Sequence, residues 1–217
     1  MRKIMFFALA CLVWLGSWSA GPAKAVDEFV TKRGRLAPGF YVTIQGKLAA
    51  LPTPAWLQEF GVGYVIQADG QQLFVSFEKD KKLPELASKL SGKLIRLNGM
   101  LTLVDDPRIK KEGDPIFPER PKIMVVRASG LEKVEDPNTK EEVSITAVGI
   151  LHPQMMQLAI AGPPRLWEIA AGKQDLPFIA LDKELLETLV KLEGNEVMAT
   201  GTLKNGAFVV KTITISL

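Results

Sequence analysis

"GQQLFVSFEKDKKLPELASKLSGKLIRLNGML", residues 70–101, is answered 102 positions later by "GKQDLPFIALDKELLETLVKLEGNEVMATGTL", residues 172–203. Without a gap, 11 of these 32 positions are identical: Gly70/Gly172, Gln72/Gln174, Asp80/Asp182, Lys81/Lys183, Leu83/Leu185, Glu85/Glu187, Lys89/Lys191, Leu90/Leu192, Gly92/Gly194, Gly99/Gly201 and Leu101/Leu203. Upstream, "VTIQGKL" (42–48) matches "ITAVGIL" (145–151) at an offset of 103, which places a one-residue slip in the loop between. Downstream, "MVVR" (124–127) answers "FVVK" (208–211) after a longer insertion in the first copy. Self-similarity of this kind marks a repeated structural unit, here an internal duplication.

Each copy carries its signals in the same order. "YVTIQGKL" and "VSITAVGIL" alternate and are rich in β-branched residues, which predicts a first strand. In "YVIQADGQQLFVSF", Asp69-Gly70 separates two apolar alternations, a hairpin signal, and "LWEIAAGKQDLPFIAL" offers Ala171-Gly172 at the equivalent turn. "DKKLPELASKL" places Leu83, Leu86 and Leu90 on one helical face, as "DKELLETLVKL" does Leu185, Leu189 and Leu192. Asp80 and Asp182 are predicted N-caps, and Gly92 and Gly194 close the helices. Gly46, Gly99, Gly149 and Gly201 recur as Gly-x-Leu in or at the end of strands, where glycine marks a bulge or a barrel corner.

Three strands, a helix and two strands is the order of the OB-fold, a five-stranded Greek-key barrel. On element order and glycine positions, residues 40–217 resemble tandem bacterial exported OB domains. The resemblance implies a mainly β chain with one short helix per repeat, built as two tandem OB-like five-stranded barrels. The expected organisation is a signal peptide at 1–25, an N-terminal segment at 26–39 and a first OB-like domain at 40–129. A charged linker follows at 130–142 ("GLEKVEDPNTKEE"), then a second OB-like domain at 143–217. A single mixed α+β domain with pseudo-twofold symmetry is the alternative that the short connection leaves open. Fold alone does not settle function.

Arg2 and Lys3 precede an apolar run from Ile4 to Leu15, and "GSWSAGPAKA" ends in Ala23-Lys24-Ala25, a small-x-small cleavage pattern. The run is shorter than the roughly 20 residues of a spanning helix, so the reading is a cleaved secretory signal and a periplasmic or secreted chain with no membrane span after cleavage. Cleavage removes Arg2, Lys3 and Lys24, leaving 24 basic residues against 24 acidic ones. A general nucleic-acid binder would carry a positive excess, and this chain would carry none. Cys11, the single cysteine, departs as well, which excludes intrachain disulfides and thiol nucleophiles.

OB barrels that bind ligands use the face of strands 2 and 3 with the loops joining strands 1–2 and 4–5. In the first copy, "AALPTPAWLQEFGVG" (49–63) predicts a short helix with Thr53 capping and Pro54 in its first turn, stacking Trp56 over Phe60. These aromatics either plug the open barrel end or form an exposed platform. The long "VDDPRIKKEGDPIFPERP" (104–121) reads as a solvated loop or a partner-docking arm, and its acids fit no calcium-loop spacing. In the second copy, Arg165 and Trp167 are the candidate contact residues. "HPQMMQLAIAGPPRLW" (152–167) also offers His152, Met155 and Met156, a donor set suited to Cu(I) and similar to that of a periplasmic copper chaperone of OB fold. Against copper, adjacent methionines in a strand point to opposite faces. G-x-S-x-G, phosphate-loop and dinucleotide-binding motifs are absent. The expectation is therefore a non-catalytic exported module without a cofactor that binds a protein or cell-envelope component. A Cu(I) carrier, or an oligosaccharide or single-strand nucleic-acid binder using Trp56 and Trp167, are the alternatives.

Overall fold

The structure is a computed structural model that describes residues 35–52, 54–77, 82–106, 108, 122–136, 138–154, 166–180 and 182–216. The expected signal peptide and most of the N-terminal segment lie outside these residues. Described elements follow in the order β1 (Gly39–Ala50), α1 (Ala55–Gln58), β2 (Val62–Ala68), β3 (Gln71–Ser76), α2 (Lys82–Leu90), β4 (Leu94–Asp105) and β5 (Lys122–Lys133). The second half adds β6 (Glu142–Pro153), β7 (Leu166–Ala171), β8 (Gln174–Ile179), α3 (Lys183–Leu192), β9 (Glu196–Lys204) and β10 (Ala207–Ile215). The chain is mainly β with a few short helices, and no described helix is long and apolar enough to cross a membrane.

In the first half, β1 pairs antiparallel with both β2 and β4, β2 with β3, and β4 with β5, while β3 joins β5 in parallel and closes a five-stranded ring. The second half repeats these pairings: β6 with β7 and β9, β7 with β8, β9 with β10, and β8 parallel to β10. The two circuits are not separate beads. β1 and β6 pair antiparallel from Gly39↔Val148 to Gln45↔Glu142, so all ten strands form one sheet. This register is centred on Val42↔Ile145, which are equivalent positions of the two copies, and the junction is therefore a pseudo-twofold. Phe40, Val42 and Ile44 point to the same side as Ala147, Ile145 and Val143, and one buried cluster holds residues of both halves, from Phe40 and Ile66 to Trp167 and Phe208. Contiguous apolar burial of this kind is the main stabilising term for a chain without disulfides.

The hairpins move the slip between the copies. Ala68↔Gln71 brackets the turn Asp69-Gly70, whereas Ala171↔Gln174 brackets Gly172-Lys173, not Ala171-Gly172. The structural offset is therefore 103 through β8, and the slip to 102 falls between β8 and α3. Side-chain parity decides this, because a one-residue shift sends every side chain to the opposite face. At 103, buried Leu73 and Val75 match buried Leu176 and Phe178; at 102, Leu73 would match Asp175. The Gly70/Gly172 and Gln72/Gln174 identities are thus coincidental, and Gln71 is the true counterpart of Gln174.

Other local expectations fare individually. Asp182 caps α3 by accepting hydrogen bonds from the Glu184 and Leu185 N–H groups at 2.6 and 3.4 Å, while Asp80 lies outside the described residues. Gly92 and Gly194 follow their helices at φ +80° and +76°. On α2 the buried face is Leu83, Ala87 and Leu90, with Leu86 37% exposed, because i, i+4, i+7 spacing selects Ala87. Gly46 and Gly149 are barrel corners: a Cβ there would lie 2.3 Å from the Gln67 carbonyl oxygen and 2.1 Å from that of Ala170. Residues 130–133 of the expected linker continue β5 against Ile95–Asn98 of β4.

Candidate functional site

Trp56 and Phe60 neither plug the barrel nor stand free. α1 begins after Pro54, which holds the N-cap position at ψ 152° without a side-chain cap, so Pro54 is not inside the first turn; Thr53 lies outside the described residues. The short helix lies over the outer face of β2, β3 and β5. There Leu57, Val62 and Val125 are buried, with Trp56, Phe60 and Phe74 packed around them. Trp56 meets Phe74 edge to face at 6.0 Å between ring centroids, and the Arg108 guanidinium stacks 4.6 Å over the indole. Arg108 is itself held by Asp106, at 2.9 Å from Nε to Oδ1 and 2.6 Å from Nη2 to Oδ2. That hydrogen-bonded guanidinium keeps the Asp106 carboxyl below its ordinary range, with burial opposing it. The β2–β3 face that OB barrels usually offer to ligands is therefore filled, in this half, by the chain's own apolar cluster.

In the second half, Trp167 is 1% exposed and sits in the shared core beside Phe178, its cross-strand partner, so it is not an exposed platform. An alternation that reads as a strand places every second residue inward, and Trp167 falls on the inward set with Ile169. Its indole nitrogen is buried without a hydrogen-bond partner. Arg165, Met155 and Met156 lie outside the described residues. His152 stands on β6 opposite Glu168 of β7, with Nδ1 3.2 Å from Glu168 Oε1 and Nε2 4.0 Å from Asp175 Oδ1. Its described neighbours are hard carboxylate oxygens. Among the described residues no group of three or more His, Cys, Asp or Glu is placed to hold a metal.

The halves meet a second time away from β1 and β6. The Gln71 side chain donates to the Leu203 carbonyl at 2.7 Å and accepts from the Gly206 N–H at 3.0 Å. Gln174, its counterpart, accepts from the Leu103 N–H at 3.4 Å. Beside Gln174 the two surfaces separate into a cleft of about 350 Å3. Leu103 and Met124 of the first half face Phe178 and Ile179 of the second across it, with Lys122 on the first wall and Asp175 on the second. Gly206 and Ala207, at the β9–β10 turn, line the same cleft, as do Gln154 and Glu168. β9 and β10 are joined by the tight Asn205-Gly206 turn, with φ +50° and +77°, and Gln71 seals against it. In the first half the β4–β5 connection, residues 106–121, lies almost entirely outside the described residues. Sequence reasoning missed this site. Its signal was the Gln71/Gln174 equivalence that the false 102 register concealed.

No family model matches the chain, and no curated protein matches it. Among solved structures, a deletion mutant of the single-stranded DNA binding protein from Thermus aquaticus superposes with a TM-score of 0.50 at 16% identity. The match covers 82% of this chain and 94% of that one. The wild-type form of that protein gives 0.49 at 15%, covering 83% and 95%. The fold is OB-like. Identity this low establishes nothing beyond the fold.

Proposed function

We propose that the chain is an exported, non-catalytic binding module of two OB barrels descended from an internal duplication, one built from β1–β5 and the other from β6–β10. Its seat for a protein or other cell-envelope component is the cleft between the barrels. The observation that carries this reading is the position of the cleft. It is concave, mostly apolar, furnished with a few charged groups, and located at a junction of two units, where ligand sites concentrate. The outer β2–β3 face of the first barrel, by contrast, is covered by Trp56, Phe60 and Arg108. The test is a photoreactive residue at Ile179 in intact cells, with Lys89 on α2 as control. A single partner captured at Ile179 and absent at Lys89 supports the cleft; no capture at Ile179, or the same capture at both, refutes it.

The likeness to a single-stranded DNA binding protein brings a second reading, a nucleic-acid strand lying across the outer strand face. That reading has to contend with a mature chain of balanced charge, which lacks the phosphate-driven term of non-specific binding. It also loses Trp167 as a stacking surface. Titration with oligo-dT at low salt separates the two: salt-dependent binding that protects Trp56 from quenching favours nucleic acid, and no binding favours the cleft.

A further inference from the structure

We infer that Asn205 is a site of covalent modification: its side-chain amide is lost by ring closure onto the Gly206 nitrogen, and Gln71 of the first barrel holds that reaction back. Asn205 and Gly206 are the two central residues of the β9–β10 hairpin, bracketed by the pair Lys204↔Ala207. Both have positive φ, +50° and +77°, as in the type I′ turn that Asn-Gly favours. Both are exposed, and the Asn205 side chain makes no hydrogen bond among the described residues. Gly206 has no side chain to shield its nitrogen, and a Cβ placed there would meet nothing within 4 Å.

Apart from water, the reaction needs nothing that the turn does not hold. The Gly206 nitrogen gives up its proton to solvent and attacks Cγ of Asn205. The bond from Cγ to the side-chain nitrogen breaks, and that nitrogen takes up a proton and leaves as ammonia. The product is a five-membered succinimide, which water opens at either carbonyl to an aspartyl or an isoaspartyl residue. In the closed turn the ring cannot form. A type I′ turn holds ψ of its first central residue positive, the mirror of the type I value, and this sets the Gly206 nitrogen on the far side of the Cα–C bond from Cβ. Rotation about that bond has to carry the Gly206 N–H out of the turn. That N–H donates to Gln71 Oε1 at 3.0 Å, while Gln71 Nε2 donates to the Leu203 carbonyl at 2.7 Å. Gln71 follows the Asp69-Gly70 turn, so the restraint is applied by one barrel to the other. Each such bond shifts an opening equilibrium by roughly two- to tenfold, so losing both should raise the reactive population about tenfold. The two products act differently on the junction. Asp-Gly serves the same turn, as Asp69-Gly70 does at φ +49° and +72°, so the aspartyl product recloses. The isoaspartyl product adds a methylene to the backbone between Lys204 and Ala207 and draws the Gly206 N–H away from Gln71.

The test is incubation of the full chain in mildly alkaline buffer, then digestion and mass spectrometry that separates the Asn, Asp and isoaspartyl forms of the peptide containing Asn205. Four samples are compared: the wild type, the wild type unfolded in guanidinium, Gln71→Ala and Gln174→Ala. Gln174→Ala removes the counterpart bond, to the Leu103 N–H at 3.4 Å, and controls for general loosening of the junction. The expected order is fastest in guanidinium and slowest in the folded wild type, with Gln71→Ala about tenfold above the wild type and Gln174→Ala at the wild-type rate. A Gln71→Ala rate equal to the wild type, or matched by Gln174→Ala, overturns Gln71 as the restraint. A folded wild type that reacts as fast as the unfolded chain overturns protection by the turn. Asn205 that stays intact in guanidinium overturns the site itself.

Discussion

Replacing Trp56 with alanine distinguishes a wall from a docking platform. In the structure the indole is half-buried, packed edge to face on Phe74 at 6.0 Å and covered on one face by Arg108 at 4.6 Å. Removing a fully buried Trp costs about 3–5 kcal/mol. Partial exposure reduces that, while the aromatic and cation–π contacts add roughly 0.5–1.5 kcal/mol each at most. The net expectation is about 2–3 kcal/mol. For a chain of this size, 1 kcal/mol moves Tm by roughly 2–4 °C, so thermal melts followed by circular dichroism should fall by about 4–12 °C. Leu57→Ala, at a position 1% exposed beneath the same helix, is the internal standard and should cost about 2–5 kcal/mol. Arg108→Ala in the Trp56→Ala background should lower Tm less than in the wild type, because the stacked pair is already broken. If Trp56→Ala leaves Tm within about 2 °C while Leu57→Ala lowers it, the aromatic does not seal the outer face and the argument for the cleft loses its contrast.

Trp167→Phe should be close to neutral in stability, since it removes the unpaired buried indole N–H while keeping an aromatic ring, whereas Trp167→Ala should cost about 3–5 kcal/mol; urea melts of the pair read the difference. In the same chain, acrylamide should quench Trp56 more than Trp167. Gly149→Ala drives a methyl group against the Ala170 carbonyl, where 2.1 Å is available. It should destabilise by about 1–3 kcal/mol, and an unchanged denaturation midpoint would contradict the corner. The Asp106–Arg108 clasp follows a carboxyl whose pKa is lowered in the folded state. Its contribution is therefore present above the unfolded value and is lost as pH falls through the folded one, below the ordinary carboxylate range. Trp56 emission should change on acidification below about pH 4 in the wild type and be flat there in Asp106→Asn.

The duplication, the order of elements and the mainly β class were all legible, because each rests on local chemistry. Asp69-Gly70 has the two positive φ angles of a tight hairpin, and Asp182 has the oxygen that a helix start requires. What misled was identity taken without regard to face. Gly70/Gly172 and Gln72/Gln174 were counted as equivalent, yet parity in β3 and β8 requires the other register. Pairing of β1 with β6 left no local mark, since alternating strands look alike whichever neighbour their edges meet. The same holds for burial of Trp167: tryptophan on an alternating strand suits a core or a platform, and the sequence carries nothing to choose between them. The cleft escaped notice because its lining comes from both copies and is assembled only through the junction.

The register centred on Val42 and Ile145 also bears on how such a protein can change over time. In a symmetric dimer of identical chains every substitution appears twice, so a residue that opens one crevice opens its mate, and a turn that shuts one shuts both. Two copies in one chain are released from that rule while still sharing a sheet and a core. Gln71 can lock against the two-residue turn at Asn205-Gly206 while its counterpart Gln174 takes hold of the β4 backbone at Leu103 instead. The shared sheet then serves as a splint for both copies, holding each in shape while the other diverges.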